Sequence, residues 1–233
     1  MRLKWDEQGI RWFLDASAYT GYHEKLAGYI VPHLKPGDTL CDAGCGLGRL
    51  DLELAPYVSR VTAVDINENA IGVLRQDVAA RGLDNVCADV GDAGAMTETF
   101  DVVLMSFFGR FNMREFLKLF RRKLIRIVGA DNSSNLHPER YGFIQRDTVP
   151  SVCEELDSIG ASYSLEQYSI EFGQPLRSRE DAELYVLGNA PEAPLPEVRD
   201  FLEERLERTG RDDFPLYLPN MKNLGIFIIE KEQ

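Results

Sequence analysis

Basic charge is scarce in this 233-residue chain: 26 lysines and arginines stand against 38 aspartates and glutamates, a net charge of −12 and an isoelectric point near 4.8. A protein that holds nucleic acid by neutralising phosphates needs a basic face, which this composition does not supply globally. The one local candidate is Arg114, Lys118, Arg121, Arg122, Lys123 and Arg126. The pattern predicts that this run lies on a helix and the strand after it, with Phe116, Leu119 and Phe120 turned inward, so it reads as a solvated outer face and no nucleic-acid partner is expected. No apolar run approaches the ~20 residues of a membrane span, and Met1-Arg2-Leu3-Lys4-Trp5-Asp6-Glu7 places charges where a secretory leader is apolar. The expectation is a cytoplasmic protein that does not enter a membrane. Its four cysteines (Cys41, Cys45, Cys87, Cys153) form no C-x-x-C pair, and no paired metal-binding acids stand out, so neither disulfides nor a metal is expected. Histidine is limited to His23, His33 and His137.

What is present is an ordinary globular balance, 44% hydrophobic and 27% charged residues, sufficient for one domain over 1–233 with a full core. Its organising stretch is Thr39-Leu40-Cys41-Asp42-Ala43-Gly44-Cys45-Gly46-Leu47-Gly48-Arg49-Leu50. An apolar run ending in an acid, then three glycines, then a helix-compatible segment predicts strand, tight turn and helix start. Such a turn lets a nucleotide-like ligand approach backbone closely and meet free N–H groups. The dinucleotide fingerprint G-x-G-x-x-G needs its last glycine one residue later. Asp42 would also repel a pyrophosphate at short range, whereas a cationic ligand suits it. A nicotinamide oxidoreductase is thereby disfavoured.

Downstream, the period predicts a helix from Leu47 to Ala55 stopped by Pro56, a strand Val61-Thr62-Ala63-Val64 ending in Asp65, and a helix capped by Asn67 and stopped at Gly82. An acid at the tip of a second strand, roughly 20 residues after the glycine turn, is placed to accept from ribose hydroxyls. Asn85–Val90 reads as a third strand followed by Gly91-Asp92-Ala93, Phe100–Met105 as a buried fourth, and Ile125–Val128 as a fifth.

Asp42, Gly44, Gly46 and Gly48 match position for position the acid-x-G-x-G-x-G motif of the class I S-adenosylmethionine-dependent methyltransferases, which this sequence resembles from about Pro36 to Val128. The resemblance implies a Rossmann-like α/β fold: a seven-stranded, mostly parallel sheet of order 3-2-1-4-5-7-6 with helices on both faces. It implies S-adenosylmethionine as cofactor, held by Asp42 and the glycines at the methionine end, Asp65 at the ribose, and Asp92 with Ala93 at the adenine edge. Asp89 is the rival to Asp92. Ser106 at the end of strand four joins the same set. Tyr19 in the leading helical segment (1–35) would close over the methyl donor as a lid, the competing reading being core packing.

The loop Ser106-Phe107-Phe108-Gly109-Arg110-Phe111-Asn112 lacks the Pro-Pro of enzymes that methylate base or glutamine nitrogens, and this points away from those acceptors. Phe107, Phe108 and Phe111 could line an apolar substrate pocket or anchor the loop. Asn112 has the spacing of a helix cap. In the long polar segment 129–147, His137 and then Tyr141 are the candidate bases. About fifty residues, 173–223, separate the two strands that the family joins as a hairpin; they read as a helical cap over a small-molecule acceptor, the rival being a dimerisation element. A non-catalytic module that keeps the glycine turn is the alternative to an enzyme.

Overall fold

The structure is a computed structural model and describes residues 5–108, 113–132, 135–141 and 147–231. The chain begins with α1 (Glu7–Thr20) and α2 (Tyr22–Ile30), then runs β1 (Thr39–Ala43), α3 (Arg49–Leu54), β2 (Arg60–Asp65), α4 (Glu68–Arg81), β3 (Val86–Val90) and β4 (Phe100–Ser106). It continues with a single turn α5 (Met113–Phe116), β5 (Phe120–Gly129), α6 (Val149–Ser158), β6 (Tyr163–Glu171), β7 (Gln174–Leu176), α7 (Arg179–Asn189), α8 (Leu195–Arg205), β8 (Glu207–Arg208), β9 (Leu216–Leu218) and β10 (Met221–Glu230). These elements make two compact units, one of 23–131, 146–168 and 223–233, the other of 1–22, 132–145 and 169–222.

The larger unit is built on a seven-stranded sheet of order β3-β2-β1-β4-β5-β10-β6. β10 is the seventh strand of the sequence-based expectation, so the order matches. Strands β1 to β5 pair in parallel, and β10 runs antiparallel to β5 from Leu224 opposite Gly129 to Glu230 opposite Lys123. β1 pairs with β2 on one side and β4 on the other, which puts the reversal of strand order at the carboxyl end of β1, where open sheets bind ligands. Burial follows that position: β1, β2 and β4 are apolar runs buried on both faces, whereas Val90 on β3 is half exposed. Two cap signals hold as expected, since the Asn67 side chain accepts the Ala70 N–H and Gly82 ends α4 in the left-handed conformation.

The basic run departs from expectation. The structure gives one helical turn at Met113–Phe116 and starts the strand already at Phe120. Phe120 pairs with Phe100 across β4 and β5, and this sheet contact overrides the helical spacing of Phe116, Leu119 and Phe120, all of which are buried as expected. Four of its six charges are ion-paired inside the unit: Arg121 on Asp101, Arg122 on Asp38, Lys123 on Glu230, and Arg126, only 1% exposed, on Asp147 and Glu155.

The second unit packs α1, α7 and α8 with a three-stranded antiparallel sheet of order β7-β9-β8. Its core joins Trp12, Leu176, Ala182, Tyr185, Val186, Val198, Leu202 and Leu218. The segment expected as a helical cap, 173–223, thus carries its two helices and three short strands besides. The leading segment divides at Gly21 (φ 63), with α1 in this unit and most of α2 in the other. Asp181 ties the two ends of the unit: it accepts from the Trp12 indole at 3.0 Å, the Arg177 N–H at 3.0 Å and the Arg11 guanidinium. Among the described residues no helix is long and apolar enough to cross a membrane.

Candidate functional site

The glycine turn leaves β1 at Ala43. Gly44, Gly46 and Gly48 all have positive φ (77, 56 and 62°), a path that L side chains resist. Two of the glycines are needed for packing as well: a Cβ on Gly48 would lie 2.4 Å from Leu74, and one on Gly44 would lie 1.9 Å from the Phe108 ring. The turn is tied to β2, because Gly44 N–H and Cys45 N–H both donate to the Val64 carbonyl at 2.8 and 3.1 Å.

Asp65, at the carboxyl end of β2, accepts the Gly46 N–H at 2.9 Å with one oxygen and the Asn67 N–H at 2.9 Å with the other. It therefore stands beside the glycine turn, fixed in orientation, as its sequence position implied. Ile66 follows it, 76% exposed, and Val90 at the end of β3 is 44% exposed. Two apolar side chains held in water at the carboxyl ends of adjacent strands are what a flat aromatic ring would cover. Neither is singled out by the sequence, where an isolated isoleucine in a turn carries no period. Asp92 caps the short turn that buries Ala93 and accepts the Gly94 N–H at 2.8 Å. Asp89, its rival, is exposed on β3 near Arg75.

Asp42 is 2% exposed, and beneath the turn it meets a residue that the sequence motifs do not mark, Asp51 of α3, which is 0% exposed. A signal does exist: Leu47, Asp51, Leu54 and Ala55 share one helical stripe, and an acid on a buried stripe calls for an explanation. The two carboxyls lie within reach of each other. One Asp42 oxygen and both Asp51 oxygens are buried, with no N–H or O–H of another described residue donating to them. Two carboxylates cannot bond without a proton between them. Burial pushes Asp42 up to about 7, against the hydrogen bond from Asp51 and with the help of the Asp65 charge. Burial, then the charge and the hydrogen bond of Asp42, hold Asp51 well above the usual carboxylate range. Contact between the two therefore favours a proton shared by the pair, which lowers Asp42 and raises Asp51 relative to burial alone. Burial raises the Cys41 and Cys45 thiols, helped by the same acids, so neither is a nucleophile.

At the end of β4, Ser106 is half buried and Phe107 adopts φ 50, the one described non-glycine residue with positive φ. Such a conformation is strained for a bulky side chain and clusters at functional sites. Phe108 lies against Gly44 and meets Phe116 edge-to-face at 5.9 Å, so it anchors this loop to the core. Phe111 and Asn112 lie outside the described residues.

His137, Tyr141 and Tyr19 belong to the second unit. His137 Nδ1 is 3.2 Å from the Pro138 carbonyl; this contact assigns the proton to Nδ1 and the lone pair to Nε2. The Tyr141 hydroxyl donates to Glu197 at 2.8 Å, and that bond raises its pKa, so the phenol is a poor base. Arg140 pairs with the same Glu197, and the two border an open groove of about 510 Å³. Tyr19 stacks on Tyr217 at 5.0 Å and takes the Arg211 guanidinium on its face. His33 pairs with Glu166 at 3.2 Å in the larger unit. Among the described residues no group of three or more His, Cys, Asp or Glu is placed to hold a metal ion.

Comparison with known proteins places the chain among methyltransferases. A family model described as a methyltransferase domain matches residues 34–136, the span from the first strand to just past the fifth. A probable cobalt-precorrin-6B C(15)-methyltransferase (decarboxylating) from Methanobrevibacter smithii is 28% identical over 93 residues, 38% of this chain and 49% of that protein. A ribosomal protein L11 methyltransferase from Thermotoga maritima is 29% identical over 87 residues, 37% of this chain and 33% of that one. The chain therefore spans half or less of the length of these relatives. The crystal structure of magnesium protoporphyrin IX methyltransferase from Synechocystis, which contains S-adenosylhomocysteine, superposes with a TM-score of 0.57 at 16% identity, covering 91% of this chain and 84% of that one; the likeness is one of fold.

Proposed function

We propose that this chain, whose residues 34–136 form a methyltransferase domain of the class I, S-adenosylmethionine-dependent type, transfers the methyl group of that cofactor to a small-molecule acceptor. The observation that carries this reading is the line of acids at the carboxyl ends of the strands, Asp42, Asp65 and Asp92, set around a glycine turn with Ile66 and Val90 exposed beside it. That donor set fits S-adenosylmethionine, which offers an ammonium, a ribose diol and an adenine with an amino group, and carries no phosphate for Asp42 to repel. Asp42 faces the ammonium, Asp65 takes the ribose hydroxyls, Asp92 with Ala93 holds the adenine edge, and Ser106 completes the cofactor's surroundings in the larger unit.

When bound, the cofactor supplies an electrophilic methyl carbon on a sulfonium. The protein's part is to align an acceptor in line with that carbon, exclude water, and take a proton where the acceptor has one to lose. Phe107, with Phe111, is the proposed wall on the acceptor side, while Phe108 anchors the loop. The candidate bases His137 and Tyr141 belong to the second unit, where Tyr141 is committed to Glu197. A small acceptor is favoured over nucleic acid by the net charge of −12 and by the ion-paired state of Arg121, Arg122, Lys123 and Arg126. The named relatives act on a corrinoid precursor and on a ribosomal protein, so the acceptor is a matter for direct assay.

The test is calorimetric titration of the purified chain with S-adenosylhomocysteine and, separately, NADH, followed by methyl-transfer assays over a panel of small acceptors. Binding of S-adenosylhomocysteine with turnover of a member of the panel is expected. Binding without turnover across the panel favours a non-catalytic module, and preference for NADH overturns the reading.

A further inference from the structure

Asp51 is a buried acid with no assigned task, in hydrogen-bond contact with the acid that fronts the glycine turn. Both of its oxygens are fully buried, and no other described residue donates to them. An acid in that state costs stability unless it carries a proton and gives it to a partner. We propose that Asp51 works as a neutral hydrogen-bond donor that holds Asp42 in place as the receptor for the cofactor's ammonium, and that cofactor binding expels one proton from the pair.

The ionisable groups facing the pair from each packed element are few. They are Cys41 on β1, Cys45 in the turn, Asp65 at the end of β2 and, acting on Cys41, Glu98 before β4. None of them is a cation. Among the described residues no cation faces Asp42, and burial keeps a second proton on the pair up to near neutral pH. An ammonium arriving at Asp42 favours the carboxylate, so the Asp42 O–H bond gives up its proton to solvent, the electron pair stays on the oxygen, and the Asp51 proton remains in the bond between the two acids. Charge balances: one proton leaves as one cation arrives. A dehydrated, proton-linked acid pair also selects for a cationic ligand end over a neutral one, since a neutral ligand gains nothing from an ionised Asp42.

This inference rests on the reading that the turn binds S-adenosylmethionine, and the experiment separates the two. S-adenosylhomocysteine is titrated into the full chain by calorimetry at pH 6.0, 7.0 and 8.0, each in two buffers of different ionisation enthalpy, with adenosine as the ligand that lacks the ammonium. Expected is release of close to one proton at pH 6.0 falling toward none at pH 8.0, an affinity that rises about five- to tenfold per pH unit below 7, and no release with adenosine. If S-adenosylhomocysteine does not bind, both readings fall; if it binds with equal heats in both buffers, or adenosine releases the same proton, only the inference falls. Two variants add an independent readout. Asp51→Asn keeps a neutral donor and should bind within threefold of the parent protein; Asp51→Leu removes it and should bind at least tenfold more weakly at pH 7.0, with its pH profile moved upward by a unit or more. A folded Asp51→Asn protein that loses tenfold in affinity would mean the charge of Asp51 is what is needed, and the proposal is then wrong. The buffer comparison on the parent protein decides the matter even if a variant does not fold.

Discussion

The Asp65 carboxylate accepts the Gly46 N–H at 2.9 Å, so the residue proposed to read the ribose is also a strut of the glycine turn. Its other oxygen accepts the Asn67 N–H, just where Asn67 caps α4. Removing the carboxylate should therefore affect both binding and the turn. Asp65→Ala is expected to weaken S-adenosylhomocysteine binding by tenfold or more and to cost about 1–3 kcal/mol of stability. Asp65→Asn, which keeps one acceptor, should recover most of the stability and little of the binding. Calorimetry and chemical denaturation on the two variants separate the roles; unchanged affinity in Asp65→Ala removes the ribose assignment.

Two glycines of similar backbone angle separate strain from crowding. Gly48 has φ 62, and a Cβ at that position would meet Leu74 of α4 at 2.4 Å; Gly82 has φ 64 and open space around it. Alanine at position 82 is expected to cost only the left-handed conformation, about 1 kcal/mol. At position 48 it must also push α4 away from the turn, and a loss of about 2–4 kcal/mol with weakened cofactor binding is expected. Equal losses in urea denaturation at the two sites would show that the Leu74 contact yields freely.

In the second unit Asp181 has the same structural weight. Burial pushes its carboxyl up, but the donors Arg11, Arg177 N–H and Trp12 outweigh burial and lower the pKa. A depressed pKa contributes stability that is present above the usual aspartate value near 3.8 and is lost as pH falls through the lower folded value. Asp181→Ala should cost about 2–4 kcal/mol, because it leaves the buried indole and the guanidinium unpaired. Trp12 fluorescence reports the change directly, and a red shift at neutral pH in the variant is the expected sign.

Physics makes some parts of this molecule plain in the sequence and hides others. Thr39–Leu50 is legible because an acid, three glycines and a following helix admit few conformations, and the seven-strand order follows once that motif suggests the family. The strand is expected only from Ile125 and begins at Phe120, because Phe116, Leu119 and Phe120 recur at helical spacing; pairing of Phe120 with Phe100 is a long-range contact that no local window contains. The three-stranded sheet of the second unit is invisible for a related reason. Glu207–Arg208 and Leu216–Leu218 are too short to show alternation, and β9 holds β7 and β8 together only once the chain has folded back. Asp51 escapes notice because its meaning lies in Asp42, nine residues and one turn away.

That pair gives the protein a stability profile unusual for an acidic chain. Burial, the largest cause for each, raises both acids above the ordinary aspartate value, Asp42 to about 7 and Asp51 well above the usual carboxylate range. Groups of this kind stabilise the fold fully below the unfolded value near 3.8, and the stabilisation is lost as pH rises through the folded values. Between about pH 4 and 8 the native state should therefore lose stability, on the order of a few kcal/mol, from the ionisation of these two buried acids. Asp51→Asn removes one of the titrations and keeps the donor. Its stability relative to the parent should be nearly unchanged near pH 4 and increasingly favourable toward pH 8. Urea denaturation at pH 4.5, 6 and 8 measures the difference; a constant offset between the two proteins across that range would mean that Asp51 is already ionised in the native state.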